Sequence, residues 1–179
     1  MKNYFKKNKY IEFWVILFLI LTPNASYSAE NISFTSGMFS RTISIEKIES
    51  LAKTGKAEGS LKNLLKHSKN DPESIANLLN EEIEMPLLIT SRLMYSKIGE
   101  VIILRIAKII YPIKLPDPLI SVPAIRSSVI KSLSLGNDKL TLMSFLKSYP
   151  NKTVVIDLPA LFKVTKKVES VNDLVKFFS

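Results

Sequence analysis

The sequence contains no cysteine and a single histidine in 179 residues. Without cysteine there is no disulfide framework, no thiolate zinc site, no iron–sulfur cluster and no thiol nucleophile. One histidine excludes a multi-histidine metal centre. Glycine is scarce at five residues, and neither a P-loop nor a Gly-x-Gly-x-x-Gly turn can be built from them. The nucleophile elbow Gly-x-Ser-x-Gly is missing too: the only glycines four apart are Gly55 and Gly59, with Ala57 between them, at a predicted helix end. The sole candidate base, His67 in Lys66-His67-Ser68, reads as an exposed or capping residue. Glu81, Glu82 and Glu84 read as solvation of a helix end. Asp157 interrupts an apolar run; alternation turns it outward, where it also suits the cap of a following helix. The sequence therefore nominates no catalytic, cofactor-binding or metal-binding residue.

The chain is basic, with a net charge of +9, and 46% of its residues are hydrophobic, enough for a packed core. Its length fits one domain. Residues 1–29 read as a secretory signal peptide: Lys2, Lys6, Lys7 and Lys9 precede an apolar run from Phe13 to Leu21, and Ser26 and Ser28 stand at the −3 and −1 positions of a cut. Nine apolar residues are too short to span a bilayer as a helix. Removing residues 1–29 takes four lysines and one glutamate with it and lowers the charge from +9 to +6. Lys62, Lys66 and Lys69 cluster, as do Lys163, Lys166 and Lys167; they read as solvated helix faces, or as attraction to an anionic surface. Nucleic-acid binding is disfavoured, because no basic motif is interleaved with aromatics.

Residues 30–179 read as a single helical domain. Ile32 to Ile43 predicts one strand or a short hairpin turning at Ser36-Gly37. Helices follow: one from a Ser44 cap with Ile45, Ile48, Leu51 and Ala52 inward and Gly55 closing; a second capped by Ser60; a third with Asp71 as cap, Pro72 at N1 and Ile75, Leu78, Leu79 and Ile83 in phase; and one opened by Pro86. Residues 98–110 are apolar nearly all round and predict the buried central helix of a bundle. Tyr111 to Pro123 holds four prolines and predicts a stiff, extended, apolar connection, either packed across the bundle or forming a contact surface. Helices are then expected over Ala124–Leu135, around Leu142–Tyr149, and from Pro159, with a strand at Thr153–Leu158 whose Val154, Ile156 and Leu158 face inward. The expected class is mainly α (α+β): a compact helical bundle with a small sheet of two or three strands joining the two ends of the domain. Ile32–Phe34 and Val154–Ile156 are expected to pair, since a lone strand leaves its backbone unsatisfied.

Several short segments, taken in order, resemble the helical N-terminal domain of a cyanobacterial exported family of unknown function labelled alpha/beta hydrolase. They are Ser44-Ile45-Glu46-Lys47-Ile48-Glu49 closing with Ala52-Lys53-Thr54-Gly55, then Tyr95-Ser96-Lys97-Ile98-Gly99-Glu100, then Ala124-Ile125-Arg126-Ser127-Ser128. Leu140-Thr141-Leu142 with Tyr149-Pro150, and Val154-Val155-Ile156-Asp157-Leu158, complete the set. Arg126 and Glu100 carry part of the match, and a core salt bridge or a helix cap explains either as well as a site does. The resemblance implies that in longer members a hydrolase domain follows and holds the nucleophile, whereas this sequence runs to Ser179 without one. The expected role is a non-catalytic exported module, located in a periplasm or thylakoid lumen, that binds a separate hydrolase or another exported protein, with the Tyr111–Pro123 segment as its contact surface. The alternatives are a hydrolase of ester or lipid substrates, as the family label implies, and a protein of anionic membrane surfaces.

Overall fold

The computed structural model describes residues 28–68, 71–112 and 117–165. Residues 1–27 of the predicted leader and the tail from residue 166 onward lie outside the described residues, whereas Ala29, counted in the leader, is buried in the core. The chain opens with a hairpin, β1 (Asn31–Ser36) and β2 (Phe39–Ser44), turning at Gly37 with φ +60°. The last strand, β6 (Thr153–Asp157), lies parallel to β1, with Ile32 opposite Val154 and Phe34 opposite Ile156. The expected pairing of the two ends is therefore present. A short strand, β4 (Ile110–Pro112), pairs antiparallel with the far edge of β6 and completes a four-stranded sheet in the order β2-β1-β6-β4. That is one strand more than expected. A separate two-stranded ribbon joins β3 (Ile83–Glu84) to β5 (Lys139–Leu140).

Eight helices are present among the described residues: α1 (Ile45–Thr54), α2 (Gly59–Ser68), α3 (Pro72–Asn80), α4 (Leu87–Met94), α5 (Lys97–Ile106), α6 (Pro118–Leu135), α7 (Leu142–Ser148) and α8 (Leu158–Thr165). The fold is mainly α with a small mixed sheet, as the sequence predicts. Helix α1 buries Ile45, Ile48, Leu51 and Ala52 and ends on Gly55 at φ +67°, where the left-handed conformation returns an N–H to the Leu51 carbonyl. Ser44 stands at its N-cap without a side-chain hydrogen bond. Helix α3 starts as predicted, Asp71 accepting the Ser74 N–H at 2.9 Å with Pro72 in the first turn. Its buried residues are Ala76 and Leu79; Leu78 is exposed and Ile83 belongs to β3. Ser60 lies inside α2 rather than capping it, and Leu61 and Leu65 fill the core.

The centre of the molecule is α6, which packs on α4, α5, α7 and on both β4 and β5. Its inner face carries Ser121, Ala124, Ile125, Ser128, Ser132 and Leu133. Small side chains there let α7 approach closely, and Ser128 Oγ donates to the Phe145 carbonyl. Phe145 meets Tyr149 edge-to-face at 6.0 Å.

Four expectations are corrected by tertiary contacts. The apolar run 98–110 is not one buried helix: α5 ends at Ile106, Ile98 and Val101 are exposed, and Ile110 joins the sheet. Pairing with the free edge of β6 satisfies more backbone than another helical turn, and Pro112 is tolerated because β4 is an edge strand. Tyr111–Pro123 is not an extended loop throughout. Its first residues are β4, residues 113–116 lie outside the described residues, and α6 starts at Pro118, six residues before the expected Ala124. Asp117 caps that helix, accepting the Leu119 N–H at 2.9 Å. Pro123 therefore sits inside a helix, and the Leu119 carbonyl loses its intrahelical donor at an exposed position open to water. Strand β6 does not alternate simply: Val155 is buried along with Val154 and Ile156, in a strand flanked by β1 on one side and β4 on the other. Leu158, expected inward at the end of that strand, instead opens α8 and is half-buried.

Candidate functional site

The residues singled out by their chemistry do not converge. The side chain of His67, on α2, lies outside the described residues. Gly55 ends α1 and Gly59 begins α2, so neither flanks a strand-to-helix turn. Glu82 pairs with Lys139 at 2.7 Å across the β3–β5 ribbon, and this carboxylate raises the lysine above its ordinary range. Glu81 is the C-terminal cap residue of α3, and Glu84 sits in β3 opposite Lys139. Asp157 accepts the Ala160 N–H at 2.8 Å, the capping role that its sequence position suggested. Lys62, Lys66 and Lys163 are exposed, while Lys69, Lys166 and Lys167 lie outside the described residues. Glu49 bridges α1 to α7, with Lys53 at 2.9 Å and Lys147 at 3.1 Å holding its carboxyl below the ordinary range. Among the described residues no three metal-ligating side chains gather, and no helix is long and apolar enough to cross a membrane.

One place does bring separate segments together. Helices α4 and α5 meet at Tyr95-Ser96. Ser96 caps α5, its Oγ accepting the Gly99 N–H at 3.1 Å and donating to the Leu93 carbonyl. Gly99 lets the two helices touch: a Cβ built there would stand 1.9 Å from the Leu93 carbonyl oxygen. The Met94 carbonyl at the end of α4 accepts a 2.9 Å hydrogen bond from Arg126 Nε of α6, and the Arg126 guanidinium lies over the Tyr95 ring, 4.8 Å from its centroid. Of the two explanations offered for Arg126, the helix cap is the one realised. Glu100 lies in the first turn of α5, favourable to the helix dipole.

Beside this junction runs an open groove of about 630 Å³, with Tyr95 on one side and the outer face of α6 on the other. Pro123, Ser127, Ile130 and Ser134 form its spine at helical spacing, with Arg126, Lys131 and Leu135 alongside. Among the described residues no acidic side chain lines it. Sequence reasoning singled out Tyr95 and Arg126 only through the family resemblance. The groove face was hidden by the expectation of a loop up to Pro123, although Pro123, Ser127, Ile130 and Ser134 repeat every three to four residues.

The molecule so built is a mainly helical α+β domain whose helices gather on a four-stranded mixed sheet. Over residues 28–157 it matches the family model described as alpha/beta hydrolase of unknown function (DUF1400), and the chain belongs to that family. No curated protein and no solved structure matches it.

Proposed function

We propose that this domain is a non-catalytic binding module, exported by its N-terminal leader, that docks an α/β-hydrolase catalytic domain. The observation that carries the reading is a mismatch between the family description and the fold of the matched segment. An α/β-hydrolase site needs a nucleophile elbow at the end of a strand in a largely parallel, helix-covered sheet. Residues 28–157 instead form a helical domain with one parallel strand pair, and the sequence contains no Gly-x-Ser-x-Gly. The one parallel-paired strand that runs straight into a helix, β6, ends in Asp157, a capping carboxylate.

The docking surface in this proposal is the apolar exterior of α4, α5 and the first turn of α6. Leu88 and Ile89 are 65% and 66% exposed, Ile98 is 65% and Leu119 is 83%. Single exposed apolar residues are ordinary, but these belong to three helices that pack on one another. Of the Tyr111–Pro123 segment, Leu119 and Ile120 are the large apolar side chains exposed among the described residues, while Pro112, Ser121 and Val122 are buried.

The test is affinity capture by the purified mature protein from the exported fraction of its own cells, with the retained proteins identified. The expected result is an α/β hydrolase that binds the native chain and is lost with Leu88→Glu or Leu119→Glu. Retention unchanged in both variants would overturn the reading. So would ester turnover by the purified chain alone, above a heat-treated control.

A further inference from the structure

We propose that the groove between Tyr95 and the outer face of α6 binds a single-chain amphiphile with a carboxylate head. The head is argued from Arg126. Its Nε is committed to the Met94 carbonyl and its plane is backed by Tyr95, so the guanidinium is fixed in place before any ligand arrives. The end-on fork of the two Nη atoms is the part those contacts leave over, and Arg126 forms no ion pair with a carboxylate among the described residues. A preorganised, half-buried fork is suited to the two oxygens of a carboxylate. Among the described residues no acidic side chain lines the groove, so the guanidinium there favours an anion.

The tail is argued from shape and lining. From Pro123 to Leu135 the groove follows about 18 Å of helix at ~1.5 Å per residue. Pro123, Ile130 and Leu135 supply its apolar surface, while the short side chains of Ser127 and Ser134 leave room between them. Leu135 is 74% exposed at the far end, a large apolar side chain that a bound chain would cover. The groove volume lies within the range usual for small-molecule sites. An inorganic anion would leave the apolar length unused, and a neutral alkyl chain would leave the fork unused. The groove therefore matches a molecule that has both parts.

This site is separate from hydrolase docking in the residues that carry it, Arg126 and Ile130 rather than Leu88 and Leu119, so failure of one reading leaves the other standing. The test is calorimetric titration of the full mature protein with decanoate below its micellar range, alongside acetate and decan-1-ol. Saturable binding of decanoate is expected, with acetate and the alcohol at least about tenfold weaker. Arg126→Gln and Ile130→Asp are each expected to weaken decanoate binding by about tenfold or more. Circular dichroism reports whether each variant is folded. Should Arg126→Gln unfold through loss of its bond to Met94, the Ile130→Asp variant and the alcohol comparison still decide. Absence of saturable binding to the folded protein, equal affinity for decan-1-ol, or full binding by a folded Ile130→Asp variant would each overturn the proposal.

Discussion

Gly99 and Tyr149 show how far a single side chain can govern this domain. A methyl group at Gly99 would meet the Leu93 carbonyl oxygen at 1.9 Å and its carbon at 2.8 Å, both backbone atoms that cannot move aside alone. Gly99→Ala is therefore expected to destabilise the fold by about 2–3 kcal/mol in urea denaturation, the scale of overpacking a close helix contact. At Gly37 the same substitution meets open space and only the strain of positive φ, so about 1 kcal/mol is expected. Tyr149 is fully buried and its hydroxyl finds no partner among the described residues. Tyr149→Phe removes that unsatisfied group and is expected to leave stability unchanged or raised. Burial also pushes the phenol above its ordinary range. The folded protein then keeps a proton that the unfolded chain releases above about pH 10, so stability falls as pH rises beyond that point. The alkaline slope should be shallower in Tyr149→Phe. Neither role was legible in the sequence, where Gly99 looks like a helix flaw and Tyr149 like any apolar position before Pro150. Each depends on what lies opposite in space. Asp157 was legible, because its partner is three residues away.

Asp138 ties one element to another. It lies between α6 and β5 at φ +66°, its carboxylate accepts the Leu87 N–H that opens α4 at 2.8 Å, and its carbonyl accepts the Met85 N–H. Asp138→Ala is expected to cost about 2 kcal/mol in chemical denaturation, from a lost cap and the steric cost of left-handed backbone. Asp138→Asn keeps the acceptor and tolerates the conformation, and should stay within about 0.5 kcal/mol of the native protein. Helix starts with a local signature were readable, but not uniformly. Asp71-Pro72 and Asp117-Pro118 are the same dipeptide, and each caps a helix. The second was obscured by Pro123, which argues locally against a helix and is accommodated because its turn faces outward. The early end of α5 was equally unreadable, since Ile110 leaves the helical period to pair with β6, a strand more than 40 residues downstream.

The sheet is where the whole molecule is joined. Strand β6 has a neighbour on each side, so Val155→Pro removes a donor from an interior strand and is expected to abolish cooperative unfolding, read by circular dichroism during heating. The sequence made the class and the closure of the two ends readable, because isolated strands at the ends of a helical chain need each other. It could not show that the pairing is parallel or that a third segment would add β4. That parallel pairing also has a consequence in time. Thr35 hydrogen-bonds to Ile156, a residue 121 positions away, and contacts of such separation form late because a long loop must close first. The hairpin is made early in synthesis and then waits for a neighbour not yet made. If the leader draws the chain through a membrane from its N-terminus, β1 crosses well before β6, and the sheet closes only on the far side. Under the proposed export, the topology keeps the two ends of the sheet apart until the last strand has crossed, and sheet completion marks the end of the passage.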